Sequence, residues 1–208
     1  MTTPKTTPKS TPTRSARVVR ITGETELRIE LSLDAPPGQG RADVATGLGF
    51  LDHMLSTLAR HAGLDLELRA TGDLVVDDHH TAEDCALALG QALDEAVGER
   101  RGIRRFGSAY APLDEALARV VVDLSGRPHA EVELGLRRER LGDLACENID
   151  HWFRSLATAA RMTLHVDVLR GRNDHHRAEA AFKALALALR EAVTRTAGTG
   201  VPSEKGVL

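Results

Sequence analysis

What most constrains the fold of this chain is that it carries the same text twice. "DDHHTAED" (77–84) and "NDHHRAEA" (173–180) each set two adjacent histidines ahead of a glutamate. A shift of 96 residues carries His79, His80 and Glu83 onto His175, His176 and Glu179. The same shift carries Ala88, Leu89, Ala92, Leu93, Glu95, Ala96 and Val97 onto identical residues between Ala184 and Val193. A shift of 98 lays "LDHMLSTLA" over "IDHWFRSLA", so that Asp52-His53 meets Asp150-His151. Helices rich in Ala and Leu look alike by composition alone. Composition does not reproduce His-His-x-x-Glu and Asp-His in the same order at nearly the same spacing. The chain is an internal duplication, and its fold must be assembled from two similar halves.

Hydrophobic period assigns the elements of each half. In "ETELRIELSLD", Leu27, Ile29, Leu31 and Leu33 alternate, as a half-buried strand requires. "GLDLELRATGDLVVDD" repeats the alternation through Leu64, Leu66 and Leu68. "GFLDHMLSTLARHAG" reads as a helix closed by Gly63, and "TAEDCALALGQALDEAVG" as another closed by glycine. In the second half, "ALARVVVDLSGRPHAEVEL" predicts two strands around an "SGRP" turn. "NIDHWFRSLATAARM" predicts a helix, "MTLHVDVLRG" a strand and "HRAEAAFKALALALREAV" the last helix. Each half is thus β-β-α-β-α in outline, and the expected class is α+β with sheets covered by helices. The expected organisation is a tail over 1–16, a first repeat over 17–102 and a second repeat over 103–208. "DAPPGQGRAD" is expected to be a surface loop.

Composition narrows the function. The formal charge is −3, which gives no reason to expect a nucleic-acid partner. No apolar run reaches the length of a membrane span. Cys85 and Cys146 make no disulfide framework, and a reducing, cytoplasmic compartment fits. The opening "MTTPKTTPKSTPTRSA" lacks the apolar stretch of a secretory signal and reads as a disordered tail. Its lack of acidic residues leaves a transit peptide as the alternative.

The repeated residues point to metal chemistry. They comprise six histidines (His53, His79, His80, His151, His175, His176) and two glutamates (Glu83, Glu179). Residues three and four apart share a helix face, so Glu83 reaches toward either His79 or His80. Adjacent histidines diverge by about 100° on a helix. One pair is poorly placed to chelate a single ion and well placed to hand one ring to each of two. Eight ligands divided between two ions leave four each. Imidazole and carboxylate without thiolate suit Mn, Fe, Co, Ni or Zn. The acids and the asparagine before each His-His pair are expected to be helix N-caps, with a hydrogen bond to an imidazole N–H as the rival role. His61, His129 and His165 have no counterpart in the repeat and are taken as structural. The scattered cations Arg105, Arg127, Lys183 and Lys205 are solvated surface charges by default, although Arg and Lys are the expected holders of a phosphate.

Taken together, "RITGET", "GLGFLDHML", "GDLVVDDHHTAEDCALALGQAL", "RRGIRRFG", "PLDEALAR", "DLSGRPH", "HWFRSLA", "GRNDHHRAEAAFKALA" and "KGVL" resemble the imidazoleglycerol-phosphate dehydratase family over nearly everything after the tail. The resemblance implies a ribosomal protein S5 domain 2-like fold in each half. It implies removal of water from imidazole glycerol phosphate, giving imidazole acetol phosphate in histidine biosynthesis. It further implies two Mn(II) ions per site. One would be held by His79, Glu83, His151 and His175, the other by His53, His80, His176 and Glu179. Glu179 is then the expected base, with Glu24 and Asp114 as further acid–base or substrate-orienting groups. Arg105, Arg127, Lys183, Ser203 and Lys205 are the expected phosphate holders, the last two in a C-terminal tail. A homo-oligomeric shell of 24 subunits with sites at subunit contacts is also implied. Two positions depart from the family pattern: Thr57 replaces a usual glutamine, and "PSEK" replaces Pro-Ser-Ser-Lys. Glu204 is expected to weaken phosphate affinity unless its side chain points away. The competing enzymatic reading is a two-metal phosphohydrolase, and the non-enzymatic one is metal used only to join subunits.

Overall fold

Alternation becomes a buried edge. β2 (Thr25–Ser32) buries Thr25, Leu27, Ile29 and Leu31 and turns Glu26, Arg28 and Glu30 to solvent. The computed structural model describes residues 13–36, 39–198 and 200–204. In the first half β2 pairs antiparallel with β1 (Ser15–Ile21) and with β4 (Asp65–Gly72), and β4 pairs parallel with β3 (Ala42–Ala45). α1 (Gly49–Ala62) makes the crossover between the two parallel strands, and α2 (His79–Val97) follows β4. The second half repeats this with β5 (Phe106–Leu113), β6 (Ala116–Asp123), β7 (His129–Glu133), α3 (Cys146–Ala159), β10 (Thr163–Arg170) and α4 (Asp174–Ala192). It adds a small hairpin, β8 (Arg140–Leu141) and β9 (Leu144–Ala145). The sheet orders β1-β2-β4-β3 and β5-β6-β10-β7 are the same topology twice.

Each half's main sheet therefore holds one strand more than the expected β-β-α-β-α outline. The alternating stretches do not include β1, β3 or β5; β1 buries Val18, while β3 and β5 lack large inward residues. β3 buries none of its four side chains and is held by its parallel ladder to β4. β5 turns Phe106 and Tyr110 outward and keeps Gly107 and Ala111 inside. A Cβ on Gly107 would lie 2.0 Å from the Ala188 carbonyl, so α4 can press on this strand only because the residue is glycine. The end of the expected loop over "DAPPGQGRAD" enters β3 at Ala42, and β4 stops at Gly72 rather than running on through "DLVVDD". Of the expected tail, residues 1–12 lie outside the described residues. Ser15 and Ala16 already belong to β1. Arg14 ahead of them binds Asp34 with its Nε at 3.1 Å and Nη2 at 2.6 Å, and its Nη1 donates to the Val193 carbonyl.

The helices lie against the sheets and against one another. α2 packs on β1 and β2, and α4 on β5 and β6. Between the halves, α1 packs on α4 and α2 on α3. This exchange positions the site, since every helix bearing ligand-type residues faces a helix of the other repeat. Close approach is possible because the shared faces are small: Ala82, Ala86, Ala88, Ala157, Ala181 and Ala184 are all buried. At Gly90 a Cβ would fall 2.7 Å from both the Ala159 Cβ and the Leu156 carbonyl, so α2 and α3 meet backbone to backbone there. The aromatic residues of the interior cluster at one point, with Trp152 and Phe153 each 4.8 Å from Phe182 between ring centroids.

Candidate metal centre

The α1–α4 contact assembles the first group of ligand-type atoms. Nε2 of His53 and Nε2 of His175 lie 3.3 and 3.1 Å from Oε2 of Glu179. On α4, His175 and Glu179 are four residues apart and share a face. The other carboxylate oxygen, Oε1, pairs with Lys183 Nζ at 2.7 Å. Burial works to raise the Glu179 pKa, but Lys183 and the two imidazoles outweigh it and hold the group below the usual range. α1 is aimed at this point by the other repeat, because Asp143 accepts from the Gly49 and Phe50 amides at its N-terminus. Within α1's own half, Asp52 accepts from the Thr46 amide at 2.8 Å.

The α2–α3 contact assembles the second group. Nε2 of His151 lies 3.0 Å from Oε1 of Glu83, and the His79 and His151 rings stack at 4.9 Å. His79, Glu83 and His151 can each bring one ligand atom within 4.8 Å of the others, as can His53, His175 and Glu179. These are the two groups of this kind among the described residues.

His80 and His176 stand apart from both. Nδ1 of His80 donates to Asp73 at 3.0 Å, and Nδ1 of His176 donates to Glu115 at 2.7 Å. Each carboxylate raises the pKa of its imidazole and pins the ring with Nε2 turned outward. Glu115 is itself fixed by the amides of Arg172 and Asn173, and His176 with these two amides holds it far below the usual carboxylate range. Glu24 lies 3.7 Å from His80 Nε2, and Asp114 lies 3.8 Å from His176 Nε2. The two occupy corresponding turns, β1–β2 and β5–β6, so the expected acid–base pair is a product of the duplication.

Within one chain the ligand-type residues group differently from the expected division. His175 groups with His53 and Glu179, not with His79, Glu83 and His151. His80 and His176 belong to neither group within the chain. Neighbouring histidines on a helix do point to different places, but which place is set by the facing helix. Asp73 and Glu115 were not anticipated, because one lies in a loop ahead of α2 and the other 61 residues from His176. The expected caps also divide. Asp77 and Asn173 accept from the amides of His79 and His175 at 2.8 and 2.9 Å. Asp78 and Asp174, both buried, reach the connection between β7 and α3 instead: Asp78 accepts from the Ala145 amide, and Asp174 from the Arg137 and Arg138 amides.

The expected phosphate holders lie in different settings. Lys183 borders the first group. Arg127 is exposed in the turn between β6 and β7. Arg105 is not a solvated charge: Nε and Nη2 grip Asp123 at 2.7 and 3.0 Å, and Nη1 donates to the Pro202 carbonyl at 2.7 Å. It fastens the segment that carries Ser203. Glu204 is exposed, and Lys205 lies outside the described residues. No helix among the described residues is long and apolar enough to cross a membrane.

Comparison with known proteins agrees throughout. The profile of the imidazoleglycerol-phosphate dehydratase family matches residues 46–189. The chain is 54% identical to the imidazoleglycerol-phosphate dehydratase of Kluyveromyces lactis, over 95% of this chain and 98% of that protein. It is 59% identical to that of Phaffia rhodozyma, over 95% and 97%. The crystal structure of the Staphylococcus aureus imidazoleglycerol-phosphate dehydratase superposes with a TM-score of 0.78 at 40% identity, covering 88% of this chain and 99% of that one. Nothing in these likenesses favours a phosphohydrolase. With the duplicated fold, the paired histidine-carboxylate groups and sequence likeness over almost the whole length in agreement, the chain belongs to the imidazoleglycerol-phosphate dehydratase family, whose members are hydro-lyases.

Proposed function

We propose that this protein dehydrates imidazole glycerol phosphate to imidazole acetol phosphate in histidine biosynthesis, with two divalent cations, Mn(II), at each site. The observation that carries this reading is the pair of groups His53–His175–Glu179 and His79–Glu83–His151, each offering two imidazoles and a carboxylate within 4.8 Å. The donor set fits the ion. Carboxylate and imidazole oxygens and nitrogens without thiolate suit manganese, and His79, His80 and His176 each have Nδ1 hydrogen-bonded, leaving Nε2 for coordination. When bound, the cations would stabilise negative charge spreading into the substrate's imidazole ring.

The remaining work falls to side chains. Glu179, kept ionised beside Lys183, takes the proton from the carbinol carbon next to the one that bears the ring. The hydroxyl on the ring-bearing carbon leaves as water, and the enol that results becomes the ketone one carbon away from the ring. Glu24 and Asp114, in their matched turns, orient the substrate hydroxyls or return a proton. Arg127, Lys183, Ser203 and Lys205 hold the phosphate, while Arg105 positions the terminal segment. His80 and His176 each present Nε2 away from the groups of their own chain. We read them as fourth ligands for the groups of neighbouring copies, within a homo-oligomeric shell of 24 subunits. The buried free thiols of Cys85 and Cys146 suit a reducing cytoplasm.

Product analysis tests the reaction. Incubation with imidazole glycerol phosphate and Mn(II) should give an intact phosphoester lighter by one water; release of inorganic phosphate in its place would sink the assignment. The assembly has its own test. Ions shared between copies favour the associated state, so exhaustive chelation should lower the native mass measured by light scattering. A native mass unchanged after complete metal removal would argue against shared ligands.

A further inference from the structure

The two ligand groups descend from one, but their supports have diverged. His79 has a rigid support. Asn148 Oδ1 accepts from His79 Nδ1 at 2.9 Å, and Asn148 Nδ2 donates to Asp78 Oδ2 at 2.9 Å. Because the Asp78 carboxylate can only accept, it fixes which end of the Asn148 amide faces His79. The amide oxygen in turn fixes the proton on Nδ1 and leaves the Nε2 lone pair free for a cation. Asp78 is further pinned by the Ala145 amide at 2.7 Å and by Arg140 at 2.8 Å. Asn148 and Asp78 are only 5% and 3% exposed, so this chain of bonds is shielded from water.

Among the described residues the other group has no such support. The 98-residue shift that aligns the helices puts Phe50 in the place of Asn148. Phe50 meets His175 edge-on at 5.3 Å and offers no acceptor. The 96-residue shift puts Lys183 in the place of Leu87. Lys183 engages Glu179 at 2.7 Å, occupying one carboxylate oxygen and placing a positive charge beside the group, whereas Leu87 in the corresponding place offers Glu83 no such cation.

We propose that the two groups bind metal unequally: His79–Glu83–His151 is the tight site, with Asn148 as its positioning residue, and His53–His175–Glu179 is the exchangeable one. This rests on the two-ion reading above and says which ion comes and goes. Outer hydrogen bonds to a ligating histidine typically change metal affinity about 10–100-fold, and that is the separation expected between the sites. An exchangeable ion at the group bearing Glu179 and Lys183 would make catalytic competence depend on metal supply while the other ion stays in place.

Dialysis of the full-length, Mn(II)-loaded protein against graded EDTA, with manganese per chain read by mass spectrometry, decides it. Manganese should leave in two steps, with a plateau at about one ion per chain and the steps separated about 10–100-fold in chelator. His53→Ala should abolish the early step and His151→Ala the late one. Asn148→Leu should merge the late step into the early one. Should Asn148→Leu fail to fold, Lys183→Met provides an independent check, moving the early step toward the late. A single step in the unmodified protein, or a resistant ion remaining in His151→Ala, would overturn the inequality and leave the two-ion reading standing. Absence of bound manganese at any concentration would overturn both.

Discussion

Replacement of Glu179 by alanine is expected to lower kcat/KM by at least about a thousandfold, a loss of roughly 4 kcal/mol of transition-state stabilisation. Glu179 stands at the junction of everything the reaction requires in its group. Its Oε2 faces His53 and His175, and its Oε1 holds Lys183. Without it the base is gone, two imidazoles lose their shared carboxylate, and the Lys183 ammonium is left unpaired in a partly buried place. His80→Ala is expected to cost a comparable factor for a different reason: His80 contributes nothing to the groups of its own chain, so its loss would be felt through a neighbouring copy. Steady-state assays with saturating Mn(II) and a phosphorylated substrate measure both, with circular dichroism to verify the fold. Turnover within tenfold of normal in either variant would remove that residue from the catalytic assignment.

Trp152→Ala is expected to destabilise the fold by about 3–5 kcal/mol, as large-to-small aromatic truncation in a core does. Trp152 is fully buried, follows His151 in α3 and contacts both Phe153 and Phe182. Its Nε1 has no acceptor among the described residues, so the indole contributes chiefly packing. Trp152→Phe should therefore recover most of the loss, since it keeps an aromatic ring and removes an unsatisfied donor. Urea unfolding followed by far-ultraviolet circular dichroism compares the three proteins. A Phe variant as unstable as the Ala variant would contradict this view of the aromatic cluster.

The legible strands were those with large residues facing in. β2, β4, β6 and β10 alternate because one face of each rests on a helix, and burial writes its period into the sequence. β3 and β5 do not, because one fully buries no side chain and lies along its parallel ladder to β4, and the other faces α4 with Gly107 and Ala111. The same contrast runs through the site. His53, His79, Glu83, His151, His175 and Glu179 were visible because duplication printed them twice at helical spacing. Asn148, Asp78, Asp73 and Glu115 were not, because each acts on a histidine that is remote in sequence or masked by a capping motif, and Asn148 has Phe50 as its counterpart in the repeat.

From its sequence alone the chain was determined to be a doubled α+β protein with an imidazole- and carboxylate-rich centre. Repetition and periodicity are local properties, and they survive in one dimension. Only the tertiary structure decided that α1 faces α4 and α2 faces α3, and hence that His175 joins His53 while Glu83 joins His151. Helix spacing says that adjacent histidines must part. Which neighbour receives each one depends on how small-residue faces such as that around Gly90 dock across the two halves, and docking is settled by close packing in three dimensions.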